Sequence, residues 1–208
     1  MEYYAIKKNE TTRRIKDAAI KIFAEAGFAG ARVDEIAKRA GVNKAMIYYH
    51  IGGKQVLYGE VLHDVFRDMA QRMTRNIQQS QTAEGKLKRY IHNMAAAMDR
   101  HPYLPAIMQR EIASGGKHLP ELVIQDVNDI VRILAAILEE GAQQGIFIDT
   151  IPIIIHLMMV GAFGFYKAGW PIRSRLTDIP DDLKKLESQV SGKIASEIEK
   201  LILKAVEK

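Results

Sequence analysis

The chain contains no cysteine. That excludes a disulfide framework, thiolate catalysis and any zinc site built on sulfur. Proline is scarce, six in 208 residues, and the 15 glycines are scattered, so a Pro/Gly-rich fibre or a long linker is excluded as well. No low-complexity tract and no repeat period stand out. The longest apolar stretch, Thr150 to Tyr166, is interrupted by Pro152, His156, Gly161 and Gly164. It falls short of the roughly 20 residues a bilayer requires. A helix apolar all round but too short to span is expected to be buried against other protein. Met1-Glu2-Tyr3-Tyr4-Ala5-Ile6-Lys7-Lys8 lacks the apolar core and small-residue cleavage site of a signal peptide, so a cytoplasmic protein with no membrane association is expected.

Catalytic and metal signatures are missing too. His63, His92, His101, His118 and His156 share no short ligand spacing, and neither His-x-x-x-His nor His-Glu-x-x-His occurs. Gly52-Gly53-Lys54 lacks the upstream glycine of a phosphate-binding loop, and there is no Gly-x-Gly-x-x-Gly or Gly-x-Ser-x-Gly. No enzyme, metal or cofactor is expected.

What is present is an ordinary folding composition, 48% hydrophobic and 26% charged, with an uneven distribution of charge. Residues 1–60 hold eleven basic and seven acidic side chains, a net +4 of the chain's +5. A basic N-terminal module on a near-neutral body suits a polyanion partner.

Nearly every segment has helical period. Ile15, Ala18, Ala19, Ile22, Phe23 and Ala26 form the first stripe, with Thr11 or Thr12 as its start and Gly27 as its end. Val33, Ile36, Ala37 and Ala40 form a second, closed by Gly41. Asn43 caps a third, Lys44 to His50, which stops at Gly52-Gly53. A long helix over about 54–79 follows, then helices marked by Leu87 to Met98, Ile107 to Ile112, and Val123 to Leu138, with Pro120 at the start of the last of these and Gly141 loosening its end. The apolar helix 151–168, a connection from Gly169 to Pro180 and a final amphipathic helix complete an all-α chain of about nine helices.

Two short helices joined by Gly41-Val42-Asn43 fit a helix-turn-helix. At roughly 100° per residue, with Ile47 inward, Ala45 and Tyr49 point outward and Met46 and Tyr48 flank them. Methyl and thioether groups suit thymine methyls; phenols and lysines suit phosphate oxygens. A packed hairpin with surface aromatics, or a helical adaptor for an acidic protein, remain the alternatives on spacing alone.

Residues Thr12 to Leu57 resemble the N-terminal domain of the TetR family of bacterial transcription regulators. The resemblance rests on Ile15, Ala18-Ala19, Phe23, Gly27-Phe28, Ile36-Ala37, Ala40-Gly41-Val42, Tyr48-Tyr49-His50, Lys54 and Leu57. It departs at Asn43 for a usual Ser, Ile51 for Phe, Ala45 for Gly, and Ala31-Arg32 where capping Thr or Ser is common. The resemblance implies a DNA-binding domain over 1–53 and an effector and dimerisation domain over 54–208. It implies a repressor that binds a palindromic operator as a homodimer, one third helix in each of two successive major grooves. The side chains expected at DNA are Arg32, Asn43, Lys44, Ala45, Met46, Tyr48, Tyr49, His50 and Lys54. Helices 151–168 and 187–206 would pair with their symmetry mates.

A small, largely hydrophobic effector in the C-terminal body is implied, with Met94, Met98, Tyr103, Met108, Glu111, Met158, Met159, Phe163 and Tyr166 as the candidate lining. Methionine adapts its shape to apolar ligands, although a Met stripe at helical spacing also describes plain core. Glu111, set between Met108 and Ile112, needs a partner, either Arg110 or Arg132 or the ligand itself.

Overall fold

The computed structural model describes residues 2–175 and 190–208. Among these are ten helices: α1 Glu2–Gly30, α2 Val33–Ala40, α3 Lys44–His50, α4 Lys54–Ile77, α5 Ala83–Arg100, α6 Leu104–Ala113, α7 Glu121–Gln143, α8 Pro152–Ala168, α9 Trp170–Arg173 and α10 Val190–Val206. Nine correspond to the expected helices, and α9 is a single turn inside the expected connection. The positions 176–180 of that connection, and 187–189 of the expected last helix, lie outside the described residues. No described helix is long and apolar enough to cross a membrane.

Two compact units form. One comprises Met1–Phe66 with Ala106–Gln125, the other Arg67–Pro105 with Asp126–Lys208. In the first, α1, α2 and α3 pack on one another around Ile15, Ala19, Ile22, Phe23, Ile36, Ala37 and Ile47, all buried. α1 starts about two and a half turns before Thr11, so neither threonine is its cap; the helix begins at Glu2. Gly27 breaks it as expected, at φ +69°, but helical turns resume as far as Gly30. α2 begins at Arg32 with no side-chain cap, as the missing Thr or Ser implied. Its C-terminus closes on Gly41 at φ +65°, a conformation that costs a side-chain-bearing residue about 1–2 kcal/mol.

In the second unit α5 packs against α8 and α10. The chain end is tied back by a short antiparallel bridge: the Ile148 N–H donates to the Val206 carbonyl at 2.7 Å and the Lys208 N–H to that of Ile146 at 3.1 Å. Phe147 is buried against Gly141, where a Cβ would lie 2.0 Å from its ring. Gly141 therefore does not loosen the end of α7; it is the seat for that ring. α8 buries Ile155, His156, Met159 and Phe163 on one side. Its other side leaves Ile153, Ile154, Leu157, Met158 and Phe165 exposed, Phe165 at 72%.

Candidate nucleic-acid interface

The third helix is set by three local features. The Asn43 side chain accepts from the Met46 N–H at 2.9 Å, which satisfies one of the orphan donors at a helix start. Ile47 and Ile51 are buried on one side of the helix. Gly52 and Gly53, at φ +105° and +129°, turn the chain into α4. With Ile47 inward, Tyr49 is 78% exposed and Tyr48 half exposed; Lys44 and Ala45 are exposed and Met46 is half-buried. Arg32 is exposed at the start of α2. The His50 ring stands edge-on to Tyr49, with centroids 5.1 Å apart. Both its ring nitrogens are enclosed and have no hydrogen-bond partner among the described residues.

Two expected DNA contacts already hold protein partners. Lys44 lies 3.0 Å from the Asp34 carboxylate, which joins the start of α3 to the first turn of α2. Lys54 donates to the Phe28 carbonyl at 2.9 Å and the Ala31 carbonyl at 3.2 Å, and its ammonium sits 4.4 Å from the centre of the Phe28 ring. Lys54 therefore serves first as a cap on the end of α1, where unpaired carbonyls accumulate.

Sequence reasoning missed a further layer that holds this motif in place. Arg14 on α1 donates to the carbonyls of Ala40 and Gly41 in the turn. Lys16 reaches Glu60 at 3.0 Å and Asp64 at 2.7 Å on α4. Burial alone would lower the Lys16 pKa, but the two carboxylates outweigh it and hold it above the ordinary value. Arg39 pairs with Glu25 at 2.6 Å and holds that carboxyl below its usual range. Net charge marked the module as basic, but no linear spacing showed that several cations are used internally.

Glu111 is 2% exposed and lies in the same unit as these helices. Neither Arg110 nor Arg132 partners it. Tyr58 donates its hydroxyl to Oε1 at 2.9 Å, while Ser114 and the His118 N–H approach Oε2 at 3.3 and 3.4 Å. The His118 Nδ1 lies 3.3 Å from Oε1, and its ring stacks on Phe28 at 4.7 Å. Burial and the Glu111 carboxylate together push the Tyr58 pKa up, so its hydroxyl stays a donor. Arg110 instead donates to the carbonyls of Ala24 and Glu25 at 3.2 and 2.8 Å. Arg132 lies 3.5 Å from Asp129.

The other effector candidates divide by environment. Met94, Met98, Met159 and Phe163 are buried in the second unit, where α5 packs on α8. Tyr103 and Met158 are exposed, and Met108, half-buried, belongs to the first unit. Tyr166 carries the Arg173 guanidinium over its ring at 4.1 Å. His156 is a satisfied core histidine, its Nδ1 3.1 Å from the Tyr90 hydroxyl. A separate cleft of about 440 Å³ in the second unit is lined by Ile77, Gln81, Ile133, Ile137 and the Lys86–Glu140 ion pair, among others, and by none of the candidates. Among the described residues no cluster of His, Asp and Glu is placed to hold a metal ion.

Residues 15–61 match the family described as bacterial regulatory proteins, tetR family, and residues 63–200 match the YsiA-like protein, C-terminal region. The HTH-type transcriptional repressor NicS of Pseudomonas putida is 27% identical over 166 residues, 78% of this chain and 77% of its own length. The fatty acid metabolism regulator protein of Bacillus subtilis is 27% identical over 139 residues, 67% of this chain and 72% of that one. The crystal structure of FadR from Bacillus subtilis in complex with stearoyl-CoA has the same fold, with a TM-score of 0.71 at 22% identity over 92% of this chain and 97% of that chain. With both parts of the chain matched and the helix-turn-helix in place, the protein belongs to the tetR family of bacterial regulatory proteins, and is a transcriptional regulator and not an enzyme.

Proposed function

We propose that this regulator is a repressor that binds a palindromic operator as a homodimer and is released by a small, largely hydrophobic effector. One observation carries the DNA reading: a capped helix whose outermost side chain, Tyr49, is 78% exposed while Ile47 on the same helix is fully buried. With exposed Tyr48 and Ala45 and half-buried Met46 beside it, Tyr49 completes a contiguous apolar and aromatic patch of the kind that marks a binding surface. Ala45, Met46, Tyr48 and Tyr49 form the base-reading surface. Arg32, Asn43, Lys44, His50 and the remaining N–H of Lys54 are assigned to phosphates. The His50 nitrogens are enclosed in the free protein, so His50 joins the phosphate set only when its ring turns outward on DNA. Residues 1–53 carry this role, and 54–208 the effector and dimer roles.

The homodimer reading rests on the outward face of α8, where Ile154, Leu157 and Phe165 are exposed together with Leu201 of α10. An apolar face of that extent suits a second copy of the same helices. The effector reading rests on the methionine-rich interior of the second unit, Met94, Met98, Met159 and Phe163, and on the stearoyl-CoA held by the FadR structure. A long-chain acyl thioester is therefore the first probe.

Selection of DNA fragments by the purified protein tests the reading, followed by gel shifts over a salt series and a stearoyl-CoA titration. Expected is one enriched palindrome, a linear log–log loss of affinity with salt, and release by the thioester at micromolar concentration. Binding without sequence preference at every salt concentration would instead favour a nonspecific binder or an adaptor for acidic proteins.

A further inference from the structure

In the second unit two polar side chains lie inside an otherwise apolar interior. Tyr90 and His156 are 0% and 7% exposed, and they meet where α5 packs on α8. Met94 and Met98 follow Tyr90 along α5 at steps of four residues, and Met159 and Phe163 follow His156 along α8 at steps of three and four, all of them buried. That spacing puts each polar group on the same side of its helix as the apolar groups that follow it. Besides these two, Asn93 is the one buried polar side chain among the described residues of this unit. Its amide is already used, the oxygen accepting from Asn76 and the nitrogen donating to the Arg89 carbonyl.

The protons of the Tyr90–His156 pair are fixed by their neighbours. The Tyr90 oxygen lies 3.3 Å from the Ile130 carbonyl of α7 and 3.1 Å from the His156 Nδ1. Burial pushes the tyrosine pKa up and the imidazole pKa down, so the hydroxyl keeps its proton and the ring is neutral. A carbonyl can only accept, and the hydroxyl has one proton to give. If that proton went to Nδ1, two oxygens would face each other at 3.3 Å with no hydrogen between them. One arrangement makes both contacts hydrogen bonds: Tyr90 donates to the Ile130 carbonyl, and the Nδ1–H of His156 donates to the Tyr90 oxygen. A neutral ring with its proton on Nδ1 carries a bare lone pair on Nε2. No described residue partners that nitrogen, and it is not sealed off as the nitrogens of His50 are. The Nδ1 side of the ring is satisfied from within the fold, and the Nε2 side awaits a donor.

We infer that the His156 Nε2 is a hydrogen-bond acceptor for the effector, and that the effector is an uncharged, largely apolar molecule carrying a hydroxyl or N–H group. This rests on the proposed effector site in the second unit, and deepens it by naming the polar group the ligand brings. A carboxylate or a plain thioester group presents only acceptors to a bare nitrogen. An ammonium would donate, but no buried carboxylate of this unit balances its charge. An alcohol or phenol supplies the donor at lower desolvation cost, while the methionines adapt to its apolar body. An acyl thioester whose chain bears a hydroxyl meets the same requirement.

The test uses the full-length protein with isotope-labelled histidine nitrogens and four probes of one chain length: decanol, its methyl ether, decanoate and decylamine. In the free protein, nitrogen NMR should show a histidine with a protonated Nδ1 and a bare Nε2, and this pair of signals should vanish in His156→Leu. Decanol should shift the bare-nitrogen signal, and calorimetry should show it binding at least about fivefold more tightly than the other three probes. His156→Leu should bring alcohol and ether within about twofold of each other, with the affinity for the ether little changed. Tyr90→Phe, which releases the ring to take either tautomer, should narrow the same gap. His156→Gln, which offers an oxygen near the place of Nε2, should keep part of the preference. A proton on Nε2 in the free protein, equal binding of alcohol and ether, or equal loss of both in every variant would overturn the inference. So would binding of stearoyl-CoA with none of the four probes bound, an outcome that leaves the effector reading standing. Failure of stearoyl-CoA and all four probes to bind would remove the effector reading and this inference with it.

Discussion

The Arg14 guanidinium donates to the Ala40 carbonyl at 2.6 Å and to the Gly41 carbonyl at 3.1 Å, so α1 closes the turn of the helix-turn-helix from outside. The same nitrogen would lie 2.5 Å from a Cβ at Gly41. Gly41 thus meets two demands, a positive φ and the space for an arginine.

These demands separate in a double-mutant cycle. Arg14→Ala should cost about 1 kcal/mol, because the carbonyls it leaves are within reach of water. Gly41→Ala should cost more, about 2 kcal/mol from the left-handed backbone and the displaced arginine. With Arg14 already removed, Gly41→Ala should cost less than in the wild type, since the displaced group is gone. Urea unfolding of the four proteins measures this; strict additivity would show that the backbone conformation alone excludes the methyl.

At the reading helix, Tyr49 and Lys54 should part company. Tyr49→Ala removes a side chain that is 78% exposed and touches the fold through the edge-on His50 ring, so unfolding free energy should change by less than about 0.5 kcal/mol. Operator affinity should nevertheless fall, and discrimination between bases with it. Lys54→Ala should lower stability by about 1–2 kcal/mol, because the Phe28 and Ala31 carbonyls and the Phe28 ring lose their cation. Its affinity loss should leave base preference unchanged. Paired melting curves and competition gel shifts check both, and a Tyr49→Ala protein with unaltered base preference would remove tyrosine from the reading surface.

How much of this was legible in the sequence follows from how local each interaction is. The Asn43 cap, the break at Gly27, the inward Ile47 and the outward Tyr49 are set by residues within one or two turns, and the pattern reads them directly. The pattern around Glu111 shows a carboxylate in need of a partner, but its partner Tyr58 lies 53 positions away. The nearby arginines looked better placed, yet Arg110 points to the end of α1, a destination no spacing encodes. Lys54 shows the same limit: its charge suggested phosphate, whereas the broken end of α1 offers carbonyls that exist only once the helices pack. Gly141 looked like a helix breaker and proved to be a seat for Phe147, which requires the chain end to fold back.

Acid should weaken the second unit through His156. Burial holds this imidazole below its ordinary value of 6.5, and Tyr90, itself fully buried, is its neighbour. The unfolded chain therefore binds a proton that the native state resists, and stability falls as the pH drops below 6.5. Glu25 and Asp68, held low by their cationic partners, contribute only below about 4.5, where the unfolded carboxyls begin to protonate. Between pH 6.5 and 4.5, His156→Gln should thus flatten the decline in unfolding free energy. An unaltered slope in that window would assign the proton uptake to another group.

The outward face of α8 makes the last prediction, because the protomer itself leaves room there. An added Cβ at Gly161 meets no other element of the chain within 4 Å, and Gly161 is only half-buried, so this glycine is not required by packing inside one protomer. A long side chain at Gly161 should therefore be tolerated by an isolated subunit and excluded only by a partner helix. Gly161→Arg is expected to give monomers in sedimentation experiments and to lose affinity for the palindrome. Phe165→Asp removes an apolar side chain that is 72% exposed, and should do the same. Helical content should be retained in both, and the melting temperature of wild type, but of neither variant, should rise with protein concentration. If Gly161→Arg and Phe165→Asp both sediment as dimers, the subunits meet through another surface, and the exposed leucine and isoleucines of α8 need a different occupant.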